Sequence, residues 1–99
     1  HALIVFVYEF CDAEGATAYG DRVIEYLPGL EPFDVVGTPG SRGISGTPDG
    51  NVVAYAAATV DDTLVLAIAS GSEGTLLLSE ARDRSAALLA DQVEALRAS

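Results

Sequence analysis

The chain has no lysine, no methionine and no tryptophan, and it has one cysteine and one histidine. Each shortage removes a class of chemistry. A single cysteine can neither close a disulfide within the chain nor supply a thiolate cluster for a metal. The only histidine is His1, so imidazole acid–base chemistry and a Ser-His-Asp set have no internal residue to rest on. Basic residues are scarce: five arginines stand against fifteen acids, a net charge of −10. A field of that sign repels nucleic acid, whose binding needs a basic footprint to displace counterions, and it disfavours an anionic membrane surface. The same charge keeps an alanine-rich domain soluble. No long apolar run and no charged leader with a cleavage site is present, so the segment shows neither a transmembrane helix nor a signal peptide. A Rossmann fingerprint is absent too.

The most informative stretch that is present is 51–71, NVVAYAAATVDDTLVLAIASG. With Asp61-Asp62 as a two-residue turn, Val60 pairs with Thr63, Thr59 with Leu64, Ala57 with Leu66 and Tyr55 with Ile68. Side chains alternate across a strand. One face of this hairpin therefore carries Tyr55, Ala57, Thr59, Leu64, Leu66 and Ile68. The other carries Ala54, Ala56, Ala58, Val65, Ala67 and Ala69, with no charge and little bulk. An antiparallel sheet ordinarily keeps one polar, wetted face, and here neither face is polar. The pattern predicts that the alanine face is an interface, covered by a second copy of the chain or a neighbouring domain.

Ninety-nine residues form one domain with one core, and residues 1–99 read as a single α+β domain cut from a longer chain. Residues 2–10 form a strand that is apolar on both sides and hence central. Asp12 caps a helix over 13–27, whose inner stripe includes Ala16, Tyr19, Gly20 and Val23; Pro28-Gly29 ends it. Residues 33–38 form a short strand, and the glycine- and proline-rich 39–51 segment is a loop. After the hairpin, Thr75 caps a long helix over 76–97, with Leu77, Leu78, Ala81, Ser85, Leu88, Leu89, Gln92 and Leu96 inward. The order β-α-β-β-β-α predicts a two-layer sandwich, an antiparallel sheet of about four strands with two helices on one face.

Few residues carry chemistry. Arg42, flanked by Ser41 and Gly43, is the one cation between Arg22 and Arg82, and with backbone amides around it the loop suits a carboxylate or phosphate. The alternative is an ion pair with Asp34 or Asp49. Cys11, at the mouth of the first helix, reads as a small, partly buried residue, since Asp12 opposes a thiolate. Glu9 marks where the first strand reaches solvent. Asp61 and Asp62 are turn residues, and no calcium-loop spacing surrounds them. Ser85 and Gln92 are polar residues in an apolar stripe, positioned to satisfy backbone groups or line a pocket. No catalytic residue, metal site or cofactor is expected.

The run YEF, DAEGATAYGDRV and PFDVVGTPGSRG, followed by a hairpin and a terminal helix, resembles actinobacterial cell-envelope lipoprotein domains of uncharacterised function. The arginine-only cation set and sixteen alanines agree with a GC-rich bacterial genome. The resemblance spans most of residues 5–98, implies an anchored extracytoplasmic placement and transfers no catalytic residue. Two function classes follow. One is a non-enzymatic binding or assembly module that docks through the alanine face. The other is a small dimeric α/β-barrel enzyme with a pocket between helices and sheet.

Overall fold

The computed structural model describes residues 2–25, 29–38 and 40–98. The elements run β1 (Ala2–Glu9), α1 (Ala13–Glu25), β2 (Glu31–Phe33), β3 (Arg42–Gly46), β4 (Asn51–Val60), β5 (Thr63–Ser72) and α2 (Leu78–Ala98), with one 3-10 turn at Pro48–Gly50. The strands make a five-stranded antiparallel sheet in the order β1-β5-β4-β3-β2. The fold is α+β.

The β4–β5 hairpin has the register its turn dictates, with Val60 opposite Thr63, Thr59 opposite Leu64, Ala57 opposite Leu66 and Tyr55 opposite Ile68. Asp61 takes the left-handed conformation, φ 54°, which aspartate tolerates through its short polar side chain. The Asp12 carboxylate accepts from the Gly15 amide at 2.7 Å and caps α1. α1 packs Ala16 and Val23 against Ala57, Leu64 and Leu66. Gly20 faces the sheet so closely that a Cβ there would lie 3.0 Å from a Leu64 methyl group.

α2 lies on the opposite face. Leu89 and Val93 form one cluster with Ala56, Ala58, Val65 and Ala67, and Ala81 forms another with Val52, Ala54, Ala69 and Leu76. The two helices therefore do not share a face: each covers one side, and the sheet is the middle layer. The apolar alanine face is the reason: α1 leaves it bare, and α2 covers it.

Other expectations change as well. The sheet has a fifth strand, β3, drawn from the segment read as a loop, and β2 occupies 31–33 in place of 33–38. β1 is an edge strand and not a central one. α2 begins at Leu78, the Thr75 hydroxyl pairs with Ser72 instead of capping it, and Leu77 is 62% exposed, while its amide donates to the Glu80 carboxylate. Residues 26–28, where α1 was to end, lie outside the described residues.

Candidate functional site

The six residues assigned to an interface are all buried within the chain. Ala54, Ala56, Val65, Ala67 and Ala69 are fully shielded and Ala58 is 7% exposed, covered by α2 together with Leu76, Phe33 and Val35. Small residues serve here to let a long helix approach the sheet. The alanine face is not a docking surface. Ser85, on α2, is also fully buried, and its hydroxyl donates to the Arg82 carbonyl at 3.0 Å, so it satisfies a backbone group. Gln92 is half-buried.

Ser41, Arg42 and Gly43 do come together. They line a cavity of about 570 Å³ with Phe33, Val35, Thr38 and Ile44. The Arg42 guanidinium pairs with Asp21 of α1, both side chains remaining partly exposed; neither Asp34 nor Asp49 is its partner. Thr38 is 5% exposed, and its hydroxyl has no hydrogen-bond partner among the described residues. The Ser41 hydroxyl donates to the Thr38 carbonyl. Gly43 is required by packing: a Cβ there would lie 2.6 Å from the Phe33 ring and 2.7 Å from a Val35 methyl group. On the neighbouring side of the strand pair, Arg82 donates from Nε to the buried Ser45 hydroxyl at 2.8 Å and stands 5.6 Å from the Phe33 ring centroid. Phe33 and Arg82 thus close the β2–β3 end of the sheet.

The opposite end is open. β1 pairs with β5 from Ala2↔Ser70 to Glu9↔Thr63 and, among the described residues, has no neighbour on its other side. Bonding direction alternates along an antiparallel strand, and the Phe10 amide donates to the Asp62 carbonyl at 2.8 Å. Even-numbered residues of β1 therefore face β5, while Leu3, Val5, Val7 and Glu9 direct their amides and carbonyls outward. Side chains along this edge are large and apolar: Leu3 is 51% exposed, Ile4 44%, Phe6 40% and Val7 43%. Phe6 stacks on Tyr8 at 6.0 Å, and Tyr8 meets Tyr19 of α1 at 5.6 Å. α1 covers the Tyr8 end of this face and leaves Ile4 and Phe6 to solvent. Sequence reading missed the edge because an apolar strand in the middle of a sheet and an apolar strand at an open edge have the same pattern.

Cys11 is exposed, where a partly buried position was expected. Glu9 is exposed. Among the described residues no three His, Cys, Asp or Glu side chains converge on a point that suits a metal ion, and no helix is long and apolar enough to cross a membrane. No family model, curated protein or solved structure matches this chain.

Proposed function

We propose that this chain is a non-enzymatic association module that accepts an added β-strand on the open edge of β1. One observation supports the reading: seven consecutive uncharged residues, Ala2 to Tyr8, form a sheet edge whose outward amides are unpaired and whose side chains are largely exposed. Natural edges of this length are ordinarily shortened, charged, interrupted by proline or covered. An added strand supplies main-chain hydrogen bonds along its length and pockets for alternate side chains. The docking role expected of the alanine face thereby passes to β1. A face-to-face barrel enzyme would need a bare sheet face, and each face here carries a helix.

The test uses a peptide of the β1 sequence flanked by lysines, which keep it soluble and draw it to an acidic chain. Hydrogen exchange at the Leu3, Val5 and Val7 amides should slow when the peptide is added, while the Ile4, Phe6 and Tyr8 amides are already protected by β5. Unchanged exchange at the three outward amides at saturating peptide would sink the reading.

A second reading attaches to the cavity at 32–44, because the Thr38 hydroxyl is buried there without a partner and buried hydroxyls ordinarily find one. In this reading a small carboxylate binds Arg42 in exchange for Asp21, accepts from the Thr38 hydroxyl, and rests its carbon chain on Ile44 and Val35. Titration with short carboxylates should move the amides of residues 40–44 saturably in the parent and not in Arg42→Ala.

A further inference from the structure

The occupant of the β1 edge follows from its chemistry. This inference rests on the strand-accepting reading above. We infer that β1 pairs antiparallel with β1 of a second copy across a two-fold axis at Val5, joining two sheets into one.

Register is constrained by three facts. The outward groups belong to Leu3, Val5, Val7 and Glu9, so bonded pairs must join odd-numbered residues to odd-numbered residues. Centring on Val5 sets Val5 against the partner's Val5 and Leu3 against the partner's Val7, about six main-chain hydrogen bonds in all. It also sets Ile4 against the partner's Phe6 on the α1 side. Every pair from Leu3 to Val7 is apolar, and Glu9 lies outside that run. Sliding by one bonded pair brings Glu9 opposite Leu3 in one direction, and in the other leaves two bonded pairs within residues 3–7 in place of three. The two-fold arrangement keeps α1 faces together and α2 faces together, so the inner and outer sides of both sheets match.

The same edge argument limits the assembly to two copies. The other end of the sheet is β2, three residues long. Counting alternation from the Val60–Thr63 pair beside the hairpin turn, Gly43 and Ser45 bond to β2, leaving Pro32 as its one outward-directed residue. Proline has no amide to donate. A dimer through β1 therefore consumes the open edge and presents only a blocked one, so the contact is isologous and closed.

The area sets the strength. The exposed parts of Leu3, Ile4, Phe6 and Val7 amount to roughly 350 Å² per chain, within the range of functional apolar patches. Two copies with their strand backbones bury about 1,000 Å², the lower end for a specific interface. Each copy carries a charge of −10, and the two repel. The dimer is accordingly weak, concentration-dependent and tightened by salt, which screens that repulsion.

Sedimentation of the whole chain from low micromolar to near millimolar concentration tests this. The weight-average mass should climb from 10.2 kDa toward twice that value and level off, with the rise starting at lower concentration in high salt. Val5→Pro removes an outward amide that β5 does not use, and should hold the mass at the monomer value while circular dichroism stays folded. If Val5→Pro does not fold, Leu3→Lys with Val7→Lys takes its place and should likewise remain monomeric. Leu3→Lys with Val7→Glu pairs opposite charges at both ends of this register, whereas the register slid by one pair sets the new carboxylate against Val5; the variant should restore the dimer. A parent mass that stays at 10.2 kDa throughout overturns self-pairing; if the lysine-flanked peptide still binds, the strand-accepting reading stands without it. A dimer that survives in the folded blocking variant overturns the assignment to β1. Loss of the dimer in both charge variants overturns the register.

Discussion

The two edges of this sheet handle the same problem in opposite ways. β2 is short, begins with Glu31, places Pro32 at its outward position and is backed by the Phe33 ring under Arg82. β1 is eight residues long, uncharged until Glu9 and unpaired on its outer side. Both edges belong to one small domain with one solubility requirement, and its negative charge cannot protect β1, since Glu9 is the one acid on that strand. The contrast teaches that protection of an edge is local. Where a fold spends proline, charge and a cation on one edge and none on the other, the bare edge is the informative one. Aggregation is the hazard such an edge carries, and a closed self-pairing disposes of it.

The largest effect expected comes from proline placed on alternate sides of β1. Phe6→Pro removes an amide that bonds to β5, leaves a β5 carbonyl without its donor and deletes a ring stacked on Tyr8. It should cost roughly 3 kcal/mol or more, a large share of a small domain's stability. Val5→Pro changes an outward amide and a half-buried side chain, and should cost about 1 kcal/mol. Chemical denaturation of both variants measures the difference. Equal costs would mean that the alternation along β1 is the reverse of that described.

A smaller effect is expected at the closed edge. Gly43→Ala drives a methyl group into the Phe33 ring and Val35, and overpacking of this kind costs about 1–3 kcal/mol. Gly20→Ala introduces a milder contact, at 3.0 Å from the end of a flexible leucine, and regains about 1 kcal/mol of helix propensity. Its midpoint should move little. If Gly43→Ala were as mild as Gly20→Ala, the Phe33 lid would be loosely packed and the β2 edge less closed than its residues indicate.

How much of this was legible in advance depends on the residue type that carried each feature. The hairpin register was readable because Asp61-Asp62 fixes the loop length and side-chain alternation does the rest. The α1 cap was readable because Asp12 acts within its own turn. What covers the alanine face was not readable: burial on two sides states that something packs there, and Ala56 or Ala67 bears the same pattern under α2 as under a second subunit. β3 was hidden because Gly43 and Gly46 resemble turn signals, whereas they are there to make room for Phe33 and for the backbone at Gly29. The loop site was legible in part. Ser41, Arg42 and Gly43 do share a cavity, but the Arg42 partner, Asp21, lies on α1, and a charge pair between distant segments leaves no local trace. The β1 edge was invisible, since strand order is a property of long-range pairing.

The smallest expected effect sharpens the comparison best. Pro32→Val restores an outward amide to β2 without touching the bonded pairs Glu31–Ser45 and Phe33–Gly43. Pro32 is exposed, so stability should change by no more than about 0.5 kcal/mol. Assembly is the sensitive readout. With β2 blocked, pairing through β1 stops at two copies; with β2 carrying a donor, a second edge becomes available. Three residues bordered by Glu31 offer few bonds, and the acidic chains repel, so the gain should be faint: a small population heavier than the dimer at the highest concentrations, enlarged by salt. Such species in Pro32→Val and not in the parent would show that one proline separates a closed pair from an open chain. Their absence at every salt concentration would mean that the shortness of β2 closes this edge without help from the proline.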